Sequence, residues 1–218
     1  MEDETSRRGP KRSLSADQIV TAAMGMFDGE TPSIRGVAAR LNVRPNTLYT
    51  YLPDRAALER ALVDRLLAEA DPDVLVGRRG WRRRIEDYAI SLREVLLERR
   101  GAAALFHAAP MDGPTAAIVG ERLLGAFVEA GLDPISASRA AYAVIVHVLG
   151  SVALTTADLG DSTEAALVEA RSHLAIDPDA FPLTASTLET AATWNTVEQF
   201  KWSLRALLEG CVTPPRAS

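Results

Sequence analysis

Side chains able to do covalent chemistry are few and scattered in this chain. The three histidines (His107, His147, His173) and the single cysteine, Cys211, form neither a nucleophile pair nor a cluster with metal-ligand spacing. No phosphate-cradling Gly-rich loop, dinucleotide turn, G-x-S-x-G or HExxH stretch is present, so an enzyme is not expected, nor a metal or cofactor. Cys211 has no intrachain partner, and its place near the end of an apolar helix reads as a buried spectator. The cations are more informative. The formal net charge is −5, yet the stretch from Arg7 to Leu52 holds seven basic residues against three acidic ones, a net +4 that leaves −9 for the rest. A basic head on an acidic body is the pattern of a DNA-binding module joined to a separate regulatory domain; ordinary surface variation is the bland alternative.

The elements that must position those cations read as helices. Hydrophobic residues make up 47% of the 218 and aromatics 6%, with Ala and Leu dominant, which favours helix over strand and an all-α fold class. No apolar run long enough to span a bilayer and no signal-peptide start are read, so a soluble, cytoplasmic protein without a membrane partner is expected. Residues 1–12 lack apolar periodicity and read as a disordered basic arm, with a head over 13–55 and a body over 56–218.

Within the head, Ser15 with Gln18 forms a capping box, and Leu14 is placed as a hydrophobic staple before the face of Ile19, Ala22, Ala23, Met26 and Phe27. Gly29 is the expected stop. Ser33 caps a second short helix carrying Ile34, Val37, Ala38 and Leu41, and Asn42 stops it, since Asn tolerates the left-handed conformation. Pro45 opens a third helix that runs through Leu52, and Asp54 caps a fourth running to about Ala70. Small residues at Ala38 and Ala39 let the second and third helices approach. Three short helices around a Leu41–Asn42–Val43 turn make a helix-turn-helix, in which the third projects its amino-terminal residues into a major groove about 12 Å wide. A generic bundle of short helices explains any one of these elements, but poorly explains all of them at this spacing.

The stretch Ser33-Ile-Arg-Gly-Val-Ala-Ala-Arg-Leu-Asn-Val-Arg-Pro-Asn-Thr-Leu-Tyr-Thr-Tyr-Leu-Pro-Asp-Arg-Ala-Ala-Leu resembles the TetR-family signature. Asn42 stands where that family usually carries Gly, and Arg55 replaces the familiar lysine while keeping its charge. The resemblance implies base contacts from Arg44, Pro45, Asn46 and Thr47, a base-edge or phosphate contact from Arg35, and phosphate contacts from Ser33, Tyr49, Tyr51 and Arg55. It assigns Leu48 and Leu52 to the core, and leaves Arg40 open between a phosphate contact and a solvated face.

The body shows helical patterns over 81–99, 101–107, 114–130, 134–157 and 193–208, a polar helix or lid over 161–174, and an irregular connection over 175–192. The run Arg100-Gly-Ala-Ala-Ala-Leu-Phe-His-Ala-Ala-Pro110, the Ala130-Gly-Leu helix end and Phe200-Lys-Trp-Ser-Leu-Arg-Ala-Leu-Leu-Glu-Gly210 are similar to the C-terminal domain of the tetracycline repressors. That similarity implies a ligand-binding and dimerisation domain, with a homodimer formed through helices 134–157 and 193–208. It also puts Leu105 where those repressors carry a metal-ligating His, so a magnesium chelate is not the expected effector. A hydrophobic small molecule is expected instead, and the candidate contacts on core faces are Trp81, Tyr88, Leu92, Leu105, Phe106, His107, Met111, Phe127, Tyr142 and His147. The implied function is a DNA-binding transcriptional regulator released from a palindromic operator by population shift. An activator on the same fold and a helical adaptor that binds no DNA remain the alternatives.

Overall fold

The computed structural model describes residues 14–27, 31–159 and 176–213. The expected arm over 1–12, the stop at Gly29 and the lid over 161–174 lie outside those residues. Local chemistry sets the head. Ser15 accepts the Gln18 N–H at 3.1 Å, and the Gln18 side chain returns to the Ser15 N–H, so both ends of the capping box are closed at the start of α1 (Ala16–Met24). Ser33 caps α2 (Ile34–Arg40) by accepting the Gly36 N–H at 3.1 Å. Asn42 then takes φ 53. Its N–H donates to the Ala39 carbonyl at 3.1 Å and the Val43 N–H to Ala38 at 3.0 Å, the paired bonds of a Schellman turn. Pro45 begins α3 (Pro45–Tyr49), which ends before the expected Leu52; the chain continues to Leu52 as a turn. Ala38 is buried at the α2–α3 contact as expected, whereas Ala39 is exposed and contributes no close packing.

Asp54 accepts the Ala57 N–H at 2.6 Å and starts α4 (Arg55–Glu69), which buries Leu58, Leu62, Val63, Leu66 and Leu67. This helix joins the two halves: it packs on α1 and on three body helices, α5 (Trp81–Leu97), α6 (Ala102–Ala108) and α7 (Pro114–Glu129). One contiguous apolar core therefore runs from Ile19 in α1 to Leu208 near the carboxyl end. Gly131, at φ +99, ends α7 with the same pair of turn bonds that Asn42 makes in the head.

α8 (Pro134–Leu159) packs on α5 and α7. Contrary to the sequence expectation, it is long and apolar enough over Pro134–Thr155 to cross a membrane by length and composition, at mean hydropathy 1.5. The physical reason is that it is apolar on two sides: Ala137, Val144, Val148 and Val152 enter the core, while Ile135, Tyr142 and Val146 are exposed. The connection expected to be irregular holds two short helices, α9 (Pro182–Ser186) and α10 (Leu188–Ala192), the first opened by a proline at its start. The last helix, α11 (Val197–Val212), is capped by Thr196 and lies four residues further along than the spacing suggested. Cys211 near its end is only partly buried.

Candidate functional site

α3 is oriented by its two leucines. Leu48 is fully buried and Leu52 nearly so, which turns the opposite side of the helix outward. Arg44, Pro45, Asn46 and Thr47 are all exposed at its amino-terminal end, and Tyr49 and Tyr51 flank them with exposures of 46% and 38%. Ser33 and Arg35 are exposed on the neighbouring α2. The Ser33 oxygen accepts its cap bond, which leaves the hydroxyl proton free to donate. Arg55 is exposed, and its Nε donates to Glu59 at 2.6 Å. An exposed i,i+4 pair of this kind is worth about 0.3–0.5 kcal/mol, too little to hold the guanidinium back from a phosphate. All nine residues expected at DNA thus sit on α2 and α3, on their N-caps, in the turn after α3 or in the first turn of α4, and all are exposed to solvent.

The ten expected effector contacts divide. Tyr88, Leu92, Leu105 and Phe127 are fully buried and Phe106 nearly so, placed by α5, α6 and α7. Trp81 is half-buried with its ring centroid 6.0 Å from that of Phe127. Tyr88 stands apart chemically, because its buried hydroxyl has no hydrogen-bond partner among the described residues. Burial pushes its phenol well above the usual tyrosine range. Leaving a buried hydroxyl unpaired costs about 1–3 kcal/mol.

The remaining candidates are not core. Tyr142 is 68% exposed, and Met111 and His107 are exposed too, so their expected core-face placement fails. α8 has apolar residues on both sides, which makes its periodicity silent on which side faces inward. The His107 ring is occupied locally, with Nδ1 donating to the Ala103 carbonyl at 3.0 Å. His147 lies between α8 and α11, 3.1 Å from the Ser203 hydroxyl and stacked on Phe200 at 5.2 Å. Its pKa is lowered by burial, against an opposing hydrogen bond with Phe200. Among the described residues no group of three or more His, Cys, Asp or Glu side chains could hold a metal ion.

Sequence reasoning missed the buried charges. Arg93 is nearly fully buried; its guanidinium donates to Ser151 Oγ at 3.0 Å and to the Asn195 carbonyl at 3.0 Å, and it lies over the Phe200 ring. Arg84 donates to the Leu75 carbonyl at 3.0 Å and pairs with Glu129. Asp64 on α4 bonds the start of α7. All these partners but Leu75 lie more than forty positions away, so no local pattern announced them.

A small head of short helices in a helix-turn-helix arrangement is fused through α4 to a larger helical body. The pattern of the tetracyclin repressor-like C-terminal domain matches residues 75–213, and the chain belongs to that family. It is 32% identical over 142 residues to an HTH-type transcriptional regulator of Saccharopolyspora erythraea, covering 64% of this chain and 60% of the relative. It is 33% identical over 133 residues to the HTH-type transcriptional repressor DrrR1 of Streptomyces coeruleorubidus, covering 58% and 48%. The matches therefore span about half to three-fifths of these relatives' lengths. The fold is shared with the TetR family protein ActR of Streptomyces coelicolor, solved in complex with actinorhodin: TM-score 0.79, 20% identity, 95% of this chain and all of that one.

Proposed function

We propose that this chain is a cytoplasmic, ligand-responsive transcriptional regulator that binds a palindromic operator as a homodimer and is released from it by a hydrophobic small molecule. One observation carries the DNA reading: Arg44, Pro45, Asn46 and Thr47 stand exposed at the tip of a short helix whose other side is locked by buried Leu48. Arg and Asn side chains make paired hydrogen bonds to guanine and adenine edges, and Thr offers a methyl to thymine. Tyr49, Tyr51, Arg55 and the Ser33 hydroxyl set the position on phosphates, with Arg35 reaching a base edge beside them.

A single five-residue helix reads too few bases, so two copies are needed. The exposed apolar side of α8 supports the partner surface: Ile135, Tyr142 and Val146 lie seven and four residues apart on one stripe, and Trp202 is a large exposed side chain on α11, which packs on α8. Association through these two helices covers that surface and accounts for the double apolarity of α8. For the effector, the buried aromatic and aliphatic set around Tyr88 supports an apolar ligand with one polar group that meets the phenol. ActR, which shares the fold, is known with actinorhodin, which supports a small-molecule effector; DrrR1 is named as a repressor, which favours a repressor over an activator.

The test is selection of duplexes from a random pool by the full chain, followed by titration of the winners. A two-fold symmetric site, bound with steep salt dependence, is expected. Equal retention of all sequences, or none, overturns the reading.

A further inference from the structure

α7 begins without a cap of its own, because its N-cap residue is Gly113 and supplies no side chain. The missing acceptor comes from another helix. The Asp64 carboxylate of α4 accepts the Thr115 N–H at 2.8 Å, the Thr115 hydroxyl at 2.9 Å and the Ala116 N–H at 3.1 Å, all in part-buried surroundings. The two N–H groups are orphan donors of a first helical turn, and a carboxylate suits the positive end of the helix dipole. Gly113 is required by proximity rather than by conformation: its φ of −77 and ψ of 169 suit any residue, but a Cβ would stand 2.3 Å from Asp64 Oδ1.

The next residue points elsewhere. Successive side chains of a helix diverge by about 100°, and Arg65 pairs with Asp17 of α1, in the head. α4 therefore carries, on consecutive residues, one polar tie into the body and one into the head. The second tie is exposed and weak, and α1 also packs directly on α4. The Asp64 cap is the polar tie from α4 to α7, distinct from the Glu69–Arg99 pair at the carboxyl end of α4, and a cleft of about 500 Å³ lined by Val20, Arg60, Asp112 and Thr115 flanks it.

We propose that Asp64 is a positioning residue whose trans-helix cap fixes the head against α7, so that movement of the body's helices reaches α3. The consequence at DNA rests on the operator reading above; the geometric claim does not. Its test uses nitroxide labels on Ala39→Cys in the head and Glu121→Cys in α7, in a Cys211→Ala chain diluted with unlabelled protein, with their separation read by pulsed electron resonance. Asp64→Ala and Gly113→Ala, two unrelated ways of removing the cap, are expected to broaden the distance distribution at least about twofold, while Asp64→Asn, which keeps an acceptor, stays narrow. The same two variants are expected to keep the selected half-site sequence but to lose an about tenfold preference for one half-site spacing. Unchanged width in both folded variants overturns the proposal. Failure of the parent protein to select any duplex, with the widths behaving as expected, overturns the operator reading alone.

Discussion

Head and body of this chain treat polar groups in opposite ways. In the head, polar side chains with a proposed role are exposed, and the apolar ones beneath them only aim them: Leu48 is hidden so that Arg44 and Asn46 are not. In the body, the polar groups that matter are buried. Arg84, Glu86, Arg93 and the Tyr88 hydroxyl all lie inside, the first three with partners and the last with none among the described residues. An exposed donor fixed on a rigid helix is ready for a partner that arrives with its own charge. A buried unpaired group raises the energy of the free state and releases it to a ligand, which makes it a means of response rather than of recognition.

Leu62→Ala, in the middle of the helix that joins the halves, is expected to cost about 2–5 kcal/mol in denaturant unfolding. Head and body unfold together because the core is continuous; separate transitions would dissolve the link. Next, Arg44→Ala should lose roughly 1–3 kcal/mol of operator affinity and relax sequence preference, whereas Arg55→Ala should weaken every duplex alike and lower the salt slope by about one. Tyr88→Phe inverts the usual sign. Removing an unpaired buried hydroxyl is expected to stabilise the free protein by about 1 kcal/mol while weakening effector binding, read by thermal melts with and without ligand. In the head, Asn42→Gly should stabilise by up to about 1 kcal/mol by relieving the left-handed Asn, with no change in operator sequence.

The smallest effect concerns pH. Burial lowers the His147 pKa below its ordinary 6.5, so the unfolded chain takes up a proton that the folded chain resists. Stability is full above about 6.5 and falls as the pH drops through that value; His147→Gln should flatten the slope between pH 7 and 5.

The legibility of the two halves differs for the same reason. Helix caps and turns are decided within three or four residues, so Ser15, Ser33, Asn42, Pro45 and Asp54 stand where local chemistry puts them. The exposure of the residues proposed to meet DNA follows in the same way from the register of a short helix. The body depends on distant pairings. Asp64 finds Thr115, and Arg93 finds Ser151, across gaps that periodicity does not read. Tyr142 is expected inward because α8 is apolar on both sides, and the packing of α5, α6, α7 and α11 decides which side is core. Pro182, by contrast, was a usable signal: a proline at a first helical position marks α9 within a stretch otherwise read as irregular.

The central claim is that the exposed tip of α3 reads base edges. Competition titration of the selected operator against a duplex changed at one half-site guanine, for the parent chain and for Arg44→Ala, tests it most directly. The parent is expected to discriminate by about 1–3 kcal/mol, and the variant to lose most of that discrimination while keeping its salt dependence. Equal discrimination by both proteins would contradict the claim.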